Sequence, residues 1–244
     1  GNVTGFASME RDISSKVFGT LKELLPDLGR IAVLATRSIW TLFAPGQDEA
    51  AKALGLEYIY IDMPQPEAVN TSMTEAVAAG AQACVVRGSP FFSSVQRAMI
   101  VDSLAKHRLP AIYERRDDVE RGGLMSYAPD IQDQYRATAE YVVRVLAGEK
   151  PGDLPIQQPT KFALVINIET AKALGLTVAT LPAANQAALV AKLRASTANS
   201  LVVGHGNTIP DIIKALGISE PVNIFETDYD NLFLVVLGEK PPLI

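Results

Sequence analysis

Five short runs rich in apolar residues recur along the first half of the chain, each separated from the next by a segment of helical spacing. They are residues 31–35 (IAVLA), 56–61, 83–86 (ACVV), 111–113 and 124–127. A short continuous apolar run bounded by turn residues is what a strand buried on both faces of a parallel sheet requires. Strands that alternate with helices at this interval imply right-handed crossovers and helices on both faces. The expectation is therefore an α/β fold with a flavodoxin-like parallel sheet.

The intervening segments carry helix signals. Ser8 is placed to cap a helix to about residue 25, with Met9, Ile13, Val17, Leu21, Leu24 and Leu25 on one face. The stretch with Arg37, Ser38, Trp40 and Pro45 reads as a loop, followed by a helix over 49–54. Further helices are expected over 67–79 and 94–107. Asp130 is placed to cap a helix carrying Ile131, Tyr135, Ala139, Val142, Val143 and Leu146, and Gly148 stops it. A Pro-rich connection then leads to a strand at 162–166. Beyond residue 176 the sequence turns rich in Ala and Thr, with helices expected at 186–194 and about 209–216 and strands at 201–204, 222–226 and 232–237.

Composition excludes several classes of function. A net charge of −5 argues against a nucleic-acid partner. No run approaches the roughly 20 apolar residues of a membrane span, and GNVTGFASMERD lacks the basic and apolar regions of a signal peptide. The single cysteine, Cys84, reads as a buried small hydrophobe. There is no phosphate-binding glycine loop, no C-x-x-C and no H-E-x-x-H, so neither a cofactor nor a metal is expected.

In open parallel sheets, ligands bind beyond the carboxyl ends of the strands. That rule selects Thr36, Arg37 and Ser38 after the first strand, and Arg87, Gly88, Ser89, Pro90 and Phe91 after the third. It also selects Glu114, Arg115 and Arg116 after the fourth, and Ser126 and Tyr127 after the fifth. Guanidinium and backbone N–H groups suit a carboxylate, Glu114 an ammonium, and Phe91 or Trp40 an apolar body, so a small zwitterionic or carboxylated ligand fits. The plain alternative is that Arg115 to Asp118 is solvated loop surface and that Trp40 and Phe91 only pack.

Several uncommon words also occur in a fixed order. GNVTG (1–5), GGLMSY (122–127), LPIQQPTKF (154–162) and VINIETAKALGL (165–176) together resemble the solute-binding proteins of ABC transporters. The resemblance is to the second lobe of the type I, two-lobed family that includes tryptophan and tyrosine binders, and it covers residues 1–178. It implies a small-molecule ligand, a transporter permease as partner, and a periplasmic or extracellular location. It also implies that a first lobe and an export signal would lie upstream of residue 1. By the same resemblance, the four loops line the second lobe's half of an interlobe cleft. The family often shows Asn and Ser in the first loop, whereas this chain has TRSIWTLFAPG, which leaves room for a different ligand.

The tail is similar to another family. LVVGHGNT (201–208) and FETDYDNLF (225–233) resemble the C-terminal end of the histidine phosphatase superfamily over residues 181–244. His205 matches the second, phosphoryl-contacting histidine there. The nucleophile of that family lies in an Arg-His-Gly motif, and covalent phosphoryl transfer requires it. This chain has only two histidines, and the other, His107, lies in Lys-His-Arg. An active phosphatase is therefore not expected, and His205 is the only catalytic candidate. The expected organisation is a binding-protein-like lobe over 1–157 and a composite α/β domain over 158–244. In the latter, the strand at 162–166 would pair with those of the tail. A recombined chain without a selected function is the third reading.

Overall fold

The computed structural model describes residues 1–7, 13–63, 68–87, 93–159, 161–176, 185–196, 202 and 208–218. The chain divides into two compact units. The first holds Gly1–Pro159 with Ala163–Val178, and the second holds Thr160–Phe162 with Ala179–Ile244.

The first unit begins α1 (Ser14–Leu24), β1 (Arg30–Ala35), α2 (Arg37–Leu54), β2 (Glu57–Asp62), α3 (Val69–Ala78) and β3 (Ala83–Val86). It continues α4 (Ser94–Lys106), β4 (Ala111–Tyr113), α5 (Arg116–Glu120), β5 (Met125–Pro129), α6 (Ile131–Leu146), β6 (Phe162–Ile166) and α7 (Ile168–Ala173). The sheet order is β2-β1-β3-β4-β5-β6, and the pairs from β2 to β5 are parallel. The first five strands thus take the flavodoxin-like order that the alternation predicts.

The central strands β1, β3 and β4 are buried along nearly their whole length, as strands covered on both faces are. Val33 of β1 lies opposite Tyr60 on one side and Val85 on the other. On one face Ala32, Leu34, Cys84, Val86, Ala111 and Tyr113 pack with Met73 of α3 and Ile100, Val101 and Leu104 of α4. On the other, Phe18 of α1 and Trp40 of α2 approach Tyr58 of β2, with ring centroids 6.5 and 5.3 Å apart. Burial pushes the Cys84 thiol up to about 12, because a thiolate there would have no water. Cys84 is therefore expected to resist an aromatic disulfide reagent in the native protein and to react stoichiometrically on unfolding.

Three local outcomes differ from the sequence reading. The α2 helix starts at Arg37 and carries Pro45 inside it. An interior proline costs about 3 kcal/mol, here offset by packing of α2 on α1 and by the Trp40 indole stacked on Tyr60 at 4.5 Å. The mixed-charge run after β4 forms α5, in which Asp118 and Val119 are buried. Asp130 does cap α6, accepting from the backbone N–H groups of Gln132 and Asp133 at 2.9 and 3.2 Å. The apolar face expected to reach the core does not: Ile131, Tyr135, Val142, Val143 and Leu146 are all exposed. The helix docks through the opposite side, where the Tyr141 hydroxyl donates to the Pro155 carbonyl at 2.8 Å and its ring lies 5.1 Å from Phe6.

The strand at 162–166 lies beside β5. It therefore has a neighbour without the tail strands expected at 201–204, 222–226 and 232–237, which lie outside the described residues apart from Val202. In the second unit, α8 (Gln186–Ala195) and α9 (Ile209–Ala215) pack Val190, Ile212 and Leu216 together, flanked by Leu189, Leu193, Val202 and Ile209. Arg194 donates to the Ala215 carbonyl at 3.1 Å, so a basic side chain satisfies a C-terminal carbonyl of α9.

Candidate functional site

The carboxyl ends of β1 to β4 share one edge of the sheet because these strands are parallel. Arg87 directly follows β3 there, with its backbone N–H on the Leu34 carbonyl at 2.9 Å. Its side chain is fully buried. Nη1 donates to Glu114 Oε1 at 2.9 Å, and Nη2 donates to Ser14 Oγ at 2.6 Å. The guanidinium also lies over the Phe43 ring, 5.2 Å from its centroid. Among the described residues, Nε has no hydrogen-bond partner.

A charge without solvent persists only when paired and hydrogen-bonded. Glu114, one residue past β4, supplies that pairing with 15% of its side chain exposed. The planar fork of Arg87 therefore fixes Glu114 at the sheet edge from beneath. Arg87 itself offers no surface to a ligand, so its role is to orient Glu114. The sequence reading placed Arg87 in the loop after the third strand, among the guanidinium groups offered to a ligand carboxylate; instead its side chain is buried and engaged by Glu114. A signal existed: the arginine follows ACVV with no turn residue between, which makes it continuous with a buried strand.

Arg37 and Ser38 lie in the first turn of α2 and are exposed. The α2 N-cap, Thr36, makes no side-chain capping bond, and the first turn carries no acidic residue. The Thr36 hydroxyl instead meets that of Ser38 at 3.3 Å. The first backbone N–H groups of a helix have no intrahelical acceptor, and the helix dipole favours an anion there. Nearby, Arg37 Nε lies 3.7 Å from Asp62 and its guanidinium stands 5.0 Å over the Tyr60 ring. Burial, together with the Asp62 carboxylate, pushes the Tyr60 hydroxyl above its ordinary range.

The remaining candidates part company. Arg115 points to solvent and pairs with Asp117 at 2.9 Å, which holds the Asp117 carboxyl below its usual range. Arg116 pairs with Glu120 on the exposed side of α5. Asp118 is buried and meets Arg97 Nη1 at 3.2 Å. Burial raises the Asp118 carboxyl and lowers the Arg97 guanidinium, so desolvation outweighs their attraction in both groups. Ser126 does not follow the fifth strand. It sits inside β5 opposite Tyr113 and is buried, because β5 runs on to Pro129.

Ser89, Pro90 and Phe91 lie outside the described residues, as does His205. His107 is half-buried at the end of α4, with Nδ1 2.8 Å from the Ser103 carbonyl and Nε2 3.0 Å from the Thr74 hydroxyl. Among the described residues, no three His, Cys, Asp or Glu side chains cluster as a metal site would, and no helix is long and apolar enough to cross a membrane.

Comparison with known proteins adds the lineage. Residues 1–188 match the model of the family described as ABC transporter substrate binding protein. Among solved structures, the chain is similar to an ABC domain from Streptococcus pneumonia in complex with L-Trp, at 27% identity and a TM-score of 0.61, covering 73% of this chain and 62% of that one. It is also similar to a conserved domain protein from Vibrio cholerae, at 23% identity and a TM-score of 0.62, covering 73% and 60%. A ligand-free, open substrate binding protein with adhesive properties from Clostridium difficile shares 19% identity and a TM-score of 0.56, covering 73% and 59%. The chain thus spans about 60% of the length of these structures. A search of curated proteins finds no match. With 188 of its 244 residues matched, the chain belongs to the ABC transporter substrate binding protein family.

Proposed function

We propose that the carboxyl edge of this sheet forms one wall of a binding site for a small amino acid or closely related carboxylated solute. The protein would deliver that solute to an ABC-transporter permease from the periplasmic or extracellular side. The observation that carries this reading is the buried Arg87–Glu114 pair, held on the same sheet edge as the uncapped N-terminus of α2. The pair orients a carboxylate for a ligand ammonium, and the N–H groups of Arg37 and Ser38 offer a seat for a ligand carboxylate. Ser89, Pro90 and Phe91 complete the wall in this proposal. The half-buried Trp40, stacked on Tyr60, gives an apolar surface beside it. Membership in the family and the relative bound to L-Trp support an amino-acid ligand.

A thermal-shift screen against amino acids, small carboxylates and phosphate tests the proposal. A ligand that binds only the folded state adds about 2.7 kcal/mol at a hundredfold excess over its Kd, enough to move the melting temperature by several degrees. An amino acid is expected to produce that shift, and Glu114→Gln to remove most of it. A shift produced by phosphate alone, or by no amino acid, would contradict the proposal.

A further inference from the structure

Glu114 is braced from ahead as well as from beneath. Arg87 holds its carboxylate, and its backbone runs through Arg115 into α5, a helix of 5 residues. A helix that short has little stability of its own, so its place is set by what holds it. Its buried residues are Asp118 and Val119. Asp118 accepts from Arg97 Nη1 at 3.2 Å, with the Arg97 side chain 11% and the Asp118 side chain 4% exposed. Just past the helix, Arg121 Nη1 donates to the Ser94 carbonyl at 3.1 Å. Ser94 and Arg97 both lie in the first turn of α4, where Ser93 and Gln96 form a capping box. Two contacts thus tie α5 to one fixed helix end.

The other flank is equally confined. The Gly123 N–H donates to the Asp118 carbonyl at 2.9 Å. A Cβ at Gly123 would stand 2.8 Å from that oxygen and 2.6 Å from the Tyr113 ring, so the seat admits nothing larger than glycine. At the start of α7, Asn167 Nδ2 donates to the Val119 carbonyl at 3.0 Å and the Thr170 hydroxyl to the Gly122 carbonyl at 2.8 Å.

We propose that Arg97 is a positioning residue for the solute: through Asp118 it fixes α5, and through α5 the backbone of Glu114. The inference rests on the reading that Glu114 receives the ligand ammonium. Arg87 restrains only the carboxylate end of Glu114, and a binding group is held to a productive geometry only when its backbone is supported too. The Arg97–Asp118 pair is a poor source of stability. Burial raises the Asp118 carboxyl and lowers the Arg97 guanidinium against their mutual attraction, and Asp118 Oδ1 has no partner among the described residues. The other charges around Asp118 are Arg115, Asp117 and Arg121 beside it, with the Tyr113 hydroxyl on the β4 side. What the pair supplies is a fixed spacing between α4 and α5.

Hydrogen exchange and calorimetric titration of the full chain test this, with a thermal melt to check that each variant folds. Arg97→Met is expected to raise exchange about tenfold across 115–123 while the amides of β1 and β3 keep their wild-type rates, whereas a global loss of stability would raise all of them together. Affinity for the amino acid that gives the largest thermal shift should fall about tenfold, as for a residue acting through a contiguous network. Asp118→Leu should do the same, and the double variant no more than either alone, because the two side chains act as one unit. Arg97→Lys, which keeps a cation for Asp118, should lose less. Gly123→Ala should also weaken binding, by shifting α5 from the opposite flank with no charge altered. Uniform acceleration of exchange in Arg97→Met, additive losses in the double variant, or an unchanged affinity beside a loosened 115–123 segment would overturn the proposal. A wild type that binds no amino acid would instead defeat the reading of Glu114 on which it rests, and this role for Arg97 with it.

Discussion

Arg87→Met is expected to lower the stability of the first unit by about 3–5 kcal/mol, the usual effect of removing one partner from a buried ion pair. The substitution keeps an unbranched chain of similar length, so most of the loss would come from electrostatics. It leaves the Glu114 carboxylate without its guanidinium and the buried Ser14 hydroxyl without the Nη2 donor. It also removes the cation from the Phe43 face. Urea unfolding would register it as a fall in midpoint with little change in slope. Adding Glu114→Leu to Arg87→Met should recover a large part of the loss, because an apolar pair carries no desolvation cost. Arg87→Lys should not rescue fully, since a point charge cannot reach both Glu114 and Ser14 as the fork does. A loss below about 1 kcal/mol for Arg87→Met would mean that the pair is not a structural element of the edge.

Phe18→Ala should cost a similar amount, about 3–5 kcal/mol, by a different mechanism. Phe18 is fully buried on α1 and meets Tyr58 of β2 across the sheet face. Truncation removes apolar contact and leaves a cavity that neighbours of fixed shape fill poorly. Because α1 also carries Ser14 to Arg87, the loosened helix should weaken ligand binding as well as stability. Exposure of Cys84 to a thiol reagent provides the readout: its rate in Phe18→Ala should rise with the opened fraction. An unchanged rate alongside an unchanged urea midpoint would show that α1 is not integral to this core.

The central strands were legible because β1 and β3 are buried on both faces and so read as apolar runs, as IAVLA and ACVV do. The Asp130 cap was legible for the same local reason, one side chain serving two nearby N–H groups. Pro45 concealed the start of α2, because a proline's local penalty is visible in sequence while the packing that offsets it is not. Periodicity showed that α6 is amphipathic but not which surface would cover its stripe. Ser126 was read as lying beyond the fifth strand although it sits within it, since a position near the end of an apolar run does not by itself show whether the side chain faces the core or the loop side. At the candidate site, Glu114 was readable from its position after a strand. The buried Arg87 beneath it depends on contacts with Ser14 and Glu114, 73 and 27 residues away. Asp118 was hidden similarly within a run of charges whose other members do face water.

The central claim is that Glu114, held by Arg87, receives the ammonium of a small amino acid at the carboxyl edge of the sheet. Its most direct test is calorimetric titration of the wild type and Glu114→Gln with the most stabilising amino acid and with its N-acetyl derivative. The wild type should bind the amino acid and lose at least tenfold in affinity for the N-acetyl form, while Glu114→Gln should bind both weakly and with little preference. Equal binding of the two ligands by the wild type, or an undiminished preference in Glu114→Gln, would contradict it.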